Sequence, residues 1–241
     1  MKHPIHAAAM TLCLAAPIHL GGAARAFQPT DAQPDAAATN PVALTTATYV
    51  LEIRIDGETI GTIFTRREQH LDGSFTEHSR SEFGGTTGTS TQAFTAEGHP
   101  TRSESVFAGH ESSIHYARER AVIDYRGEAT TVDAGRAGLA SPHRLWFWKH
   151  DPEPDTPVVE TSVSQNTGSL MRIEYRYLRA EPAQILGTTL PCHVVRDTPL
   201  DAAGDVYTDT WYDERGMAVR RVHVVGGEET ITELIAINPP A

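Results

Sequence analysis

Cys192-His193 sets a thiol beside an imidazole, the two groups a cysteine nucleophile and its general base would need. Adjacent positions on a strand point to opposite faces of a sheet. The ring then cannot reach its neighbour's sulfur, and the pair reads as a buried cysteine beside a surface histidine. Histidines also recur as His110 with His115 and as His143 with His150. The first pair falls on opposite faces of a strand. The second spans two helical turns only if a helix outlasts the prolines that follow. A metal site needs three or four ligands converging on one point, and the sequence has neither HExxH nor CxxC. Asp151, Glu153 and Asp155 alternate with prolines and lack the glycine and 12-residue spacing of a calcium loop. The glycines from Gly84 to Gly88 have no lysine or helix after them to cradle a phosphate. No Gly-x-Ser-x-Gly elbow occurs. The reading is therefore no catalytic residue, no metal ligand and no cofactor.

Aromatic side chains remain. Trp146, Phe147 and Trp148 are consecutive, and tryptophan marks a core or an interface. Either this segment plugs the core, or it walls an apolar cavity. Lys149 follows at once, and its stem can lie along the rings. Tyr175 and Tyr177 alternate along one face of a later strand. The candidate ligand-binding residues are Trp146, Trp148, Tyr175 and Tyr177.

The elements that must position these residues are mostly strands. Tyr49, Leu51, Ile53 and Ile55 alternate with Val50, Glu52, Arg54 and Asp56, the period of a half-buried strand. Asp56-Gly57 follows and a second apolar run begins, which is the strongest short-range hairpin signal. Gly61 within that run marks a bulge or a close backbone approach. Further strands read at 75–83, 91–95, 101–107, 113–119, 121–125, 171–178, 192–196, 206–212, 218–225 and 229–237, with Gly84 to Ser90 as a loop. Turns about every ten residues mark an antiparallel meander. Ser141-Pro142 is a helix start, Ser as N-cap and Pro at the first helical position, so His143 to Trp148 reads as one short helix.

The chain has 241 residues, of which 39% are hydrophobic and 21% charged, a globular composition. Its net charge is −11, which argues against nucleic acid, where Lys and Arg must displace counterions. Residues 1–26 read as a secretory signal peptide: Lys2, an apolar run from Ala7 to Leu20, then Ala24-Arg25-Ala26 as a small-x-small cleavage site. That run is shorter than the roughly 20 residues a membrane span needs. Cleavage would start the mature chain at Phe27, remove Cys13, and leave Cys192 without a partner for an intramolecular disulfide. The mature chain would then carry 18 basic and 31 acidic residues and nine histidines. Residues 27–45, rich in Ala, Pro, Asp and Thr, read as a flexible linker, and residues 46–238 as one β domain. The expected location is the periplasm or the exterior, with no membrane span after cleavage.

The chain opens with a strand ending Ile55-Asp56-Gly57, then Ile60-Gly61. It closes with Asp209-Thr210-Trp211-Tyr212-Asp213, Gly216, a basic strand and a final apolar strand. This order resembles a group of exported bacterial domains of unknown function and, more distantly, the open β-barrel of periplasmic lipoprotein carriers. The resemblance spans about Thr46 to Ile237. It implies a mainly β fold: one strongly curved antiparallel sheet, an open or half barrel, with the short helix on its concave side. It implies no reaction. Three functions are compatible with these residues: binding an apolar ligand such as a lipid, or an envelope component, in the concave face; assembly with a partner through a sheet edge; or an enzyme without a recognisable motif.

Overall fold

Asp56 and Gly57 both adopt positive φ, 52° and 80°, as a type I′ turn requires. They join β1 (Ala43–Ile55) to β2 (Glu58–His70). A side chain at Gly57 would meet nothing within 4 Å, so the constraint there is conformational and not steric. Gly57→Val is expected to cost about 1–3 kcal/mol, read as a lowered midpoint of chemical denaturation. An unchanged midpoint would show that the turn tolerates a β-branched residue. Gly61 serves a different purpose. A Cβ there would lie 2.4 Å from the backbone oxygen of Glu82, and the β1–β2 register slips between Ile53 and Arg54. The bulge and the close approach both occur at this point.

The computed structural model describes residues 43–117, 120–125, 127–133, 156–163, 170–214 and 216–238. After the first hairpin come β3 (Phe75–Phe83), β4 (Thr86–Phe94), β5 (Pro100–Phe107), β6 (His110–Tyr116), β7 (Arg120–Tyr125), β8 (Glu128–Asp133), β9 (Val158–Val163), β10 (Leu170–Ile185), β11 (Thr188–Pro199), β12 (Val206–Asp213), β13 (Ala218–Val225) and β14 (Glu228–Ile237). All belong to one antiparallel sheet ordered β8-β7-β6-β5-β4-β3-β2-β1-β14-β13-β12-β11-β10-β9. Two meanders therefore meet at the β1–β14 pair, which joins the first described strand to the last. β8 and β9 are the edges. They do not pair with each other, so the described strands do not close into a barrel.

The sheet nevertheless curls. Val163 on edge strand β9 packs with Ile114 and Ile123 of β6 and β7, near the opposite edge. Glu77 on β3 acts electrostatically on Tyr212 of β12, although β2, β1, β14 and β13 lie between them. The face bearing Tyr212 and Glu77 is thus the inner one. The largest apolar cluster ties Leu51, Ile53, Ile63 and Leu234 at the sheet centre to Ala183, Ile185, Cys192 and Val194 of the long β10–β11 hairpin. Val194 and Val195, like Trp211 and Tyr212, are adjacent yet join different clusters, because neighbouring strand residues face opposite ways. A register slip between Tyr177 and Arg179 inverts that alternation along β10. Ile173, Tyr175 and Tyr177 pack on the Tyr212 side, whereas Ala183 and Ile185 join the Cys192 side.

The mainly β, single-sheet expectation holds. Strand 86–94 replaces the loop expected from Gly84 to Ser90: Gly88 is needed because a Cβ there would press on the Phe107 ring at 2.6 Å. Strands β8 and β9, absent from the sequence reading, also occur. No helix occurs among the described residues. The helix expected at 143–148, the signal peptide and nearly all of the linker lie outside them.

Candidate functional site

Of the four expected binding residues, Trp146 and Trp148 lie outside the described residues, as do Lys149, His143, His150 and the acids at 151–155. Tyr175 and Tyr177 are described. Both are buried on β10 and pack with Ile173, Val195 and Tyr212. The Tyr177 hydroxyl is 3.3 Å from Nδ1 of His193, so His193 faces the tyrosines and is half-buried, not a surface residue. Strand alternation sends Cys192 the other way, where its thiol donates to the Leu190 carbonyl at 3.6 Å. Burial first, and then the Asp213 carboxylate, push that thiol up from its ordinary value, the wrong direction for a nucleophile.

The inner face carries a cluster that no local motif announces. Tyr175, Asp197, Thr208, His223 and Thr230 are paired in turn across β10 to β14. One step along the strands, Tyr177, Val195, Thr210, Arg221 and Thr232 form an adjoining row. Paired residues share a face, so a tyrosine wall gives way to a floor of threonines with a carboxylate, an imidazole and a guanidinium set in it. Thr210, Thr230 and Thr232 are buried. Buried hydroxyls are costly unless bonded, so this is not the composition of a core selected for packing alone.

Burial, opposed by Arg221 and by a hydrogen bond from Thr208, pushes the Asp197 carboxyl up to about 7. Asp197 is crowded by protein yet keeps some surface open to water. Tyr212 beside it is pushed up to about 12, again by burial and against the pull of Arg221. The Thr208 hydroxyl lies 2.9 Å from Nδ1 of His223. When Asp197 is ionised, Thr208 spends its one proton on that carboxylate, so His223 must donate from Nδ1. Burial lowers the His223 pKa and so disfavours the charged ring. Its Nε2 is then an acceptor, buried without a hydrogen-bond partner among the described residues. The order is carboxylate, hydroxyl, imidazole. A nucleophilic triad would need the imidazole in the middle.

Further round the same face, Arg67 and Glu77 form a pair through Nε at 2.8 Å and Nη2 at 2.6 Å. The Arg67 guanidinium also covers the Phe75 ring, which stacks on Phe94 at 4.7 Å. A groove of about 290 Å³ lies elsewhere, lined by Arg54, Asp56, Arg220, Glu229 and Glu233. Pairing puts Arg220 on the face of Trp211, opposite Tyr212. Arg54 there holds Glu233 at 3.1 Å and Arg220 lies over the Trp211 ring, the Nε atoms of both arginines being buried without a hydrogen-bond partner among the described residues. The inner-face rows are the stronger candidate because they set a carboxylate, an imidazole and a guanidinium on one face beside a tyrosine wall.

No group of three metal-binding side chains converges among the described residues. No helix among them is long and apolar enough to cross a membrane. No family model matches the chain, and no curated protein matches it significantly. Among solved structures, a β-barrel-like protein of the domain of unknown function DUF1849 from Brucella abortus is similar over 81% of this chain and 98% of its own, with a TM-score of 0.60 and 10% identity. A candidate exported protein with a YmcC-like fold from Bacteroides fragilis covers 80% of this chain and 95% of its own, at 10% identity and a TM-score of 0.40. A candidate lipoprotein from Parabacteroides distasonis covers 80% and 94%, at 8% identity and 0.36. The first of these shows a shared fold, and it meets the expectation of an open β-barrel of unknown function drawn from the terminal motifs.

Proposed function

We propose that this is an exported binding protein that holds a ligand with an apolar part against the inner face of its curved sheet. The observation that carries the reading is the pair of adjoining rows across β10 to β14. Tyr175 and Tyr177 supply an apolar wall, and Asp197, His223 and Arg221 supply polar groups on the same face, Arg221 without an ion pair among the described residues. Ligand sites combine mostly apolar linings with a few placed polar groups. The leader-like residues 1–26 support export, with cleavage after Ala26 and release into the periplasm or beyond.

A second reading is an assembly partner acting through a sheet edge. It is favoured by one observation, that β8 and β9 have no second strand neighbour among the described residues. Native mass spectrometry of protein purified from its own compartment separates the two. Binding predicts a retained small molecule that is displaced by a fatty-acyl probe. A co-purified polypeptide with an empty inner face would favour the edge, and protein that arrives free of any ligand and binds no probe would overturn the first reading.

A further inference from the structure

Arginines in this chain are seldom left to themselves. Arg54, Arg67, Arg172, Arg179 and Arg196 each hold a carboxylate within 3.1 Å. Arg221, half-buried on the inner face, makes no ion pair with a described residue, and unlike Arg120 and Arg220, which also make none, it stands in the tyrosine rows. Asp197 attracts it without touching it. The two residues stand on β11 and β13, one row apart, and the intervening strand contributes only Thr208 and Thr210 to those rows. The remaining members of the two rows on β10 and β11 are Tyr175, Tyr177 and Val195, all buried. A guanidinium recognises a carboxylate through paired N–H donors. A chain of net charge −11 repels anions at long range, so an acid is held only where a guanidinium remains available to it.

Resting on the binding reading above, we infer that Arg221 anchors the carboxylate of an acid with an apolar tail, and that Asp197 competes with that carboxylate for the same guanidinium. The tail lies along the tyrosine wall. The groups facing Asp197 are Tyr175 from β10, Thr208 and Tyr212 from β12, and Arg221 and His223 from β13, while Asp209 on the opposite face repels it electrostatically and is itself held by Arg196. Below about pH 7 Asp197 is protonated, so the Arg221 charge is free for the ligand. Above it, ionised Asp197 draws on Arg221 and repels the acid. Affinity for the acid therefore falls as pH rises through neutrality.

The test uses the full chain with dodecanoic acid and its methyl ester, titrated at about pH 6 and about pH 8.5, either side of the Asp197 value of about 7. A charge-assisted bond made to the acid alone is expected to favour it about tenfold at the lower pH. That preference should largely vanish at the higher pH. Arg221→Gln should bind acid and ester alike, and Asp197→Asn should keep the preference at both pH values. Circular dichroism checks that each variant folds; if Arg221→Gln does not, the acid-to-ester ratio of the unaltered protein decides. Equal binding of acid and ester at the lower pH would overturn the Arg221 anchor while leaving the inner-face reading standing. Binding of neither compound would overturn both.

Discussion

Asp197→Asn is expected to stabilise the protein by about 2–4 kcal/mol at pH 8.5 and to change little near pH 3.5, the reverse of what deleting a useful charge would do. In the unfolded chain this carboxyl ionises near its ordinary value of 3.8, whereas in the folded protein burial holds the proton until about pH 7. The unfolded state thus releases its proton first. The folded state loses stability progressively as pH rises between those two values and stays at the lower level above them. The full gap corresponds to about 4 kcal/mol. Asp197 keeps some contact with water, so the lower part of the range is included. Asn resembles the protonated acid in shape and can still accept from Thr208. Urea denaturation at the two pH values measures the difference. An equal effect at both would mean that the carboxyl is ionised in the folded protein throughout, and that neither burial nor the inner-face geometry holds its proton.

Ile53→Ala is expected to cost about 3–5 kcal/mol at any pH, out of a total stability on the order of 5–15 kcal/mol. Ile53 is 0% exposed. It sits on β1, the strand where the two meanders join, paired with Gly61 of β2 on one side and Thr232 of β14 on the other. It packs in the cluster that reaches the β10–β11 hairpin. Truncation removes methyl groups from a close-packed site and leaves a cavity that strands tethered on both sides cannot collapse to fill. Ile235→Ala serves as the comparison. That side chain is 42% exposed on β14, and its loss should cost no more than about 1 kcal/mol. Similar costs for the two variants would show that the sheet centre is not the seat of the core.

Most of the sheet could be read along the chain. Asp56-Gly57 and Gly226-Gly227 announce hairpins because Asp and Gly tolerate positive φ. Strand 49–55 follows from the side-chain period of two. Turns built on Leu186-Gly187 and Ala108-Gly109, with φ of 52° and 49° at the first residue, have a weaker signature, so β10 and β11 extend further than the alternation indicated. The polar, glycine-containing run of β4 read as a loop because its strand character comes from two neighbours, β3 and β5, and not from its own residues. Of the candidate site, the sequence marked Tyr175 and Tyr177 but none of Asp197, Thr208, Arg221 or His223. Arg221 and His223 share β13 at a spacing of two, but Asp197 and Thr208 lie on two other strands, and no spacing within one strand links all four.

By itself, then, the sequence determined the antiparallel meander, its main hairpin turns, and the opposite facing of Cys192 and His193. These depend on local chemistry: backbone preference at a turn and alternation along a strand. Tertiary structure alone decided the order of the sheet, with β14 returning to β1, because hydrogen bonds between strands far apart in the chain leave no trace in either strand's own pattern. It also decided the curvature that brings Glu77 within electrostatic reach of Tyr212. The rows joining Asp197, Thr208 and His223 belong to the same class. Their side chains meet only because register aligns one position from each of three strands, and a shift of one residue in any of them would turn its side chain to the other face.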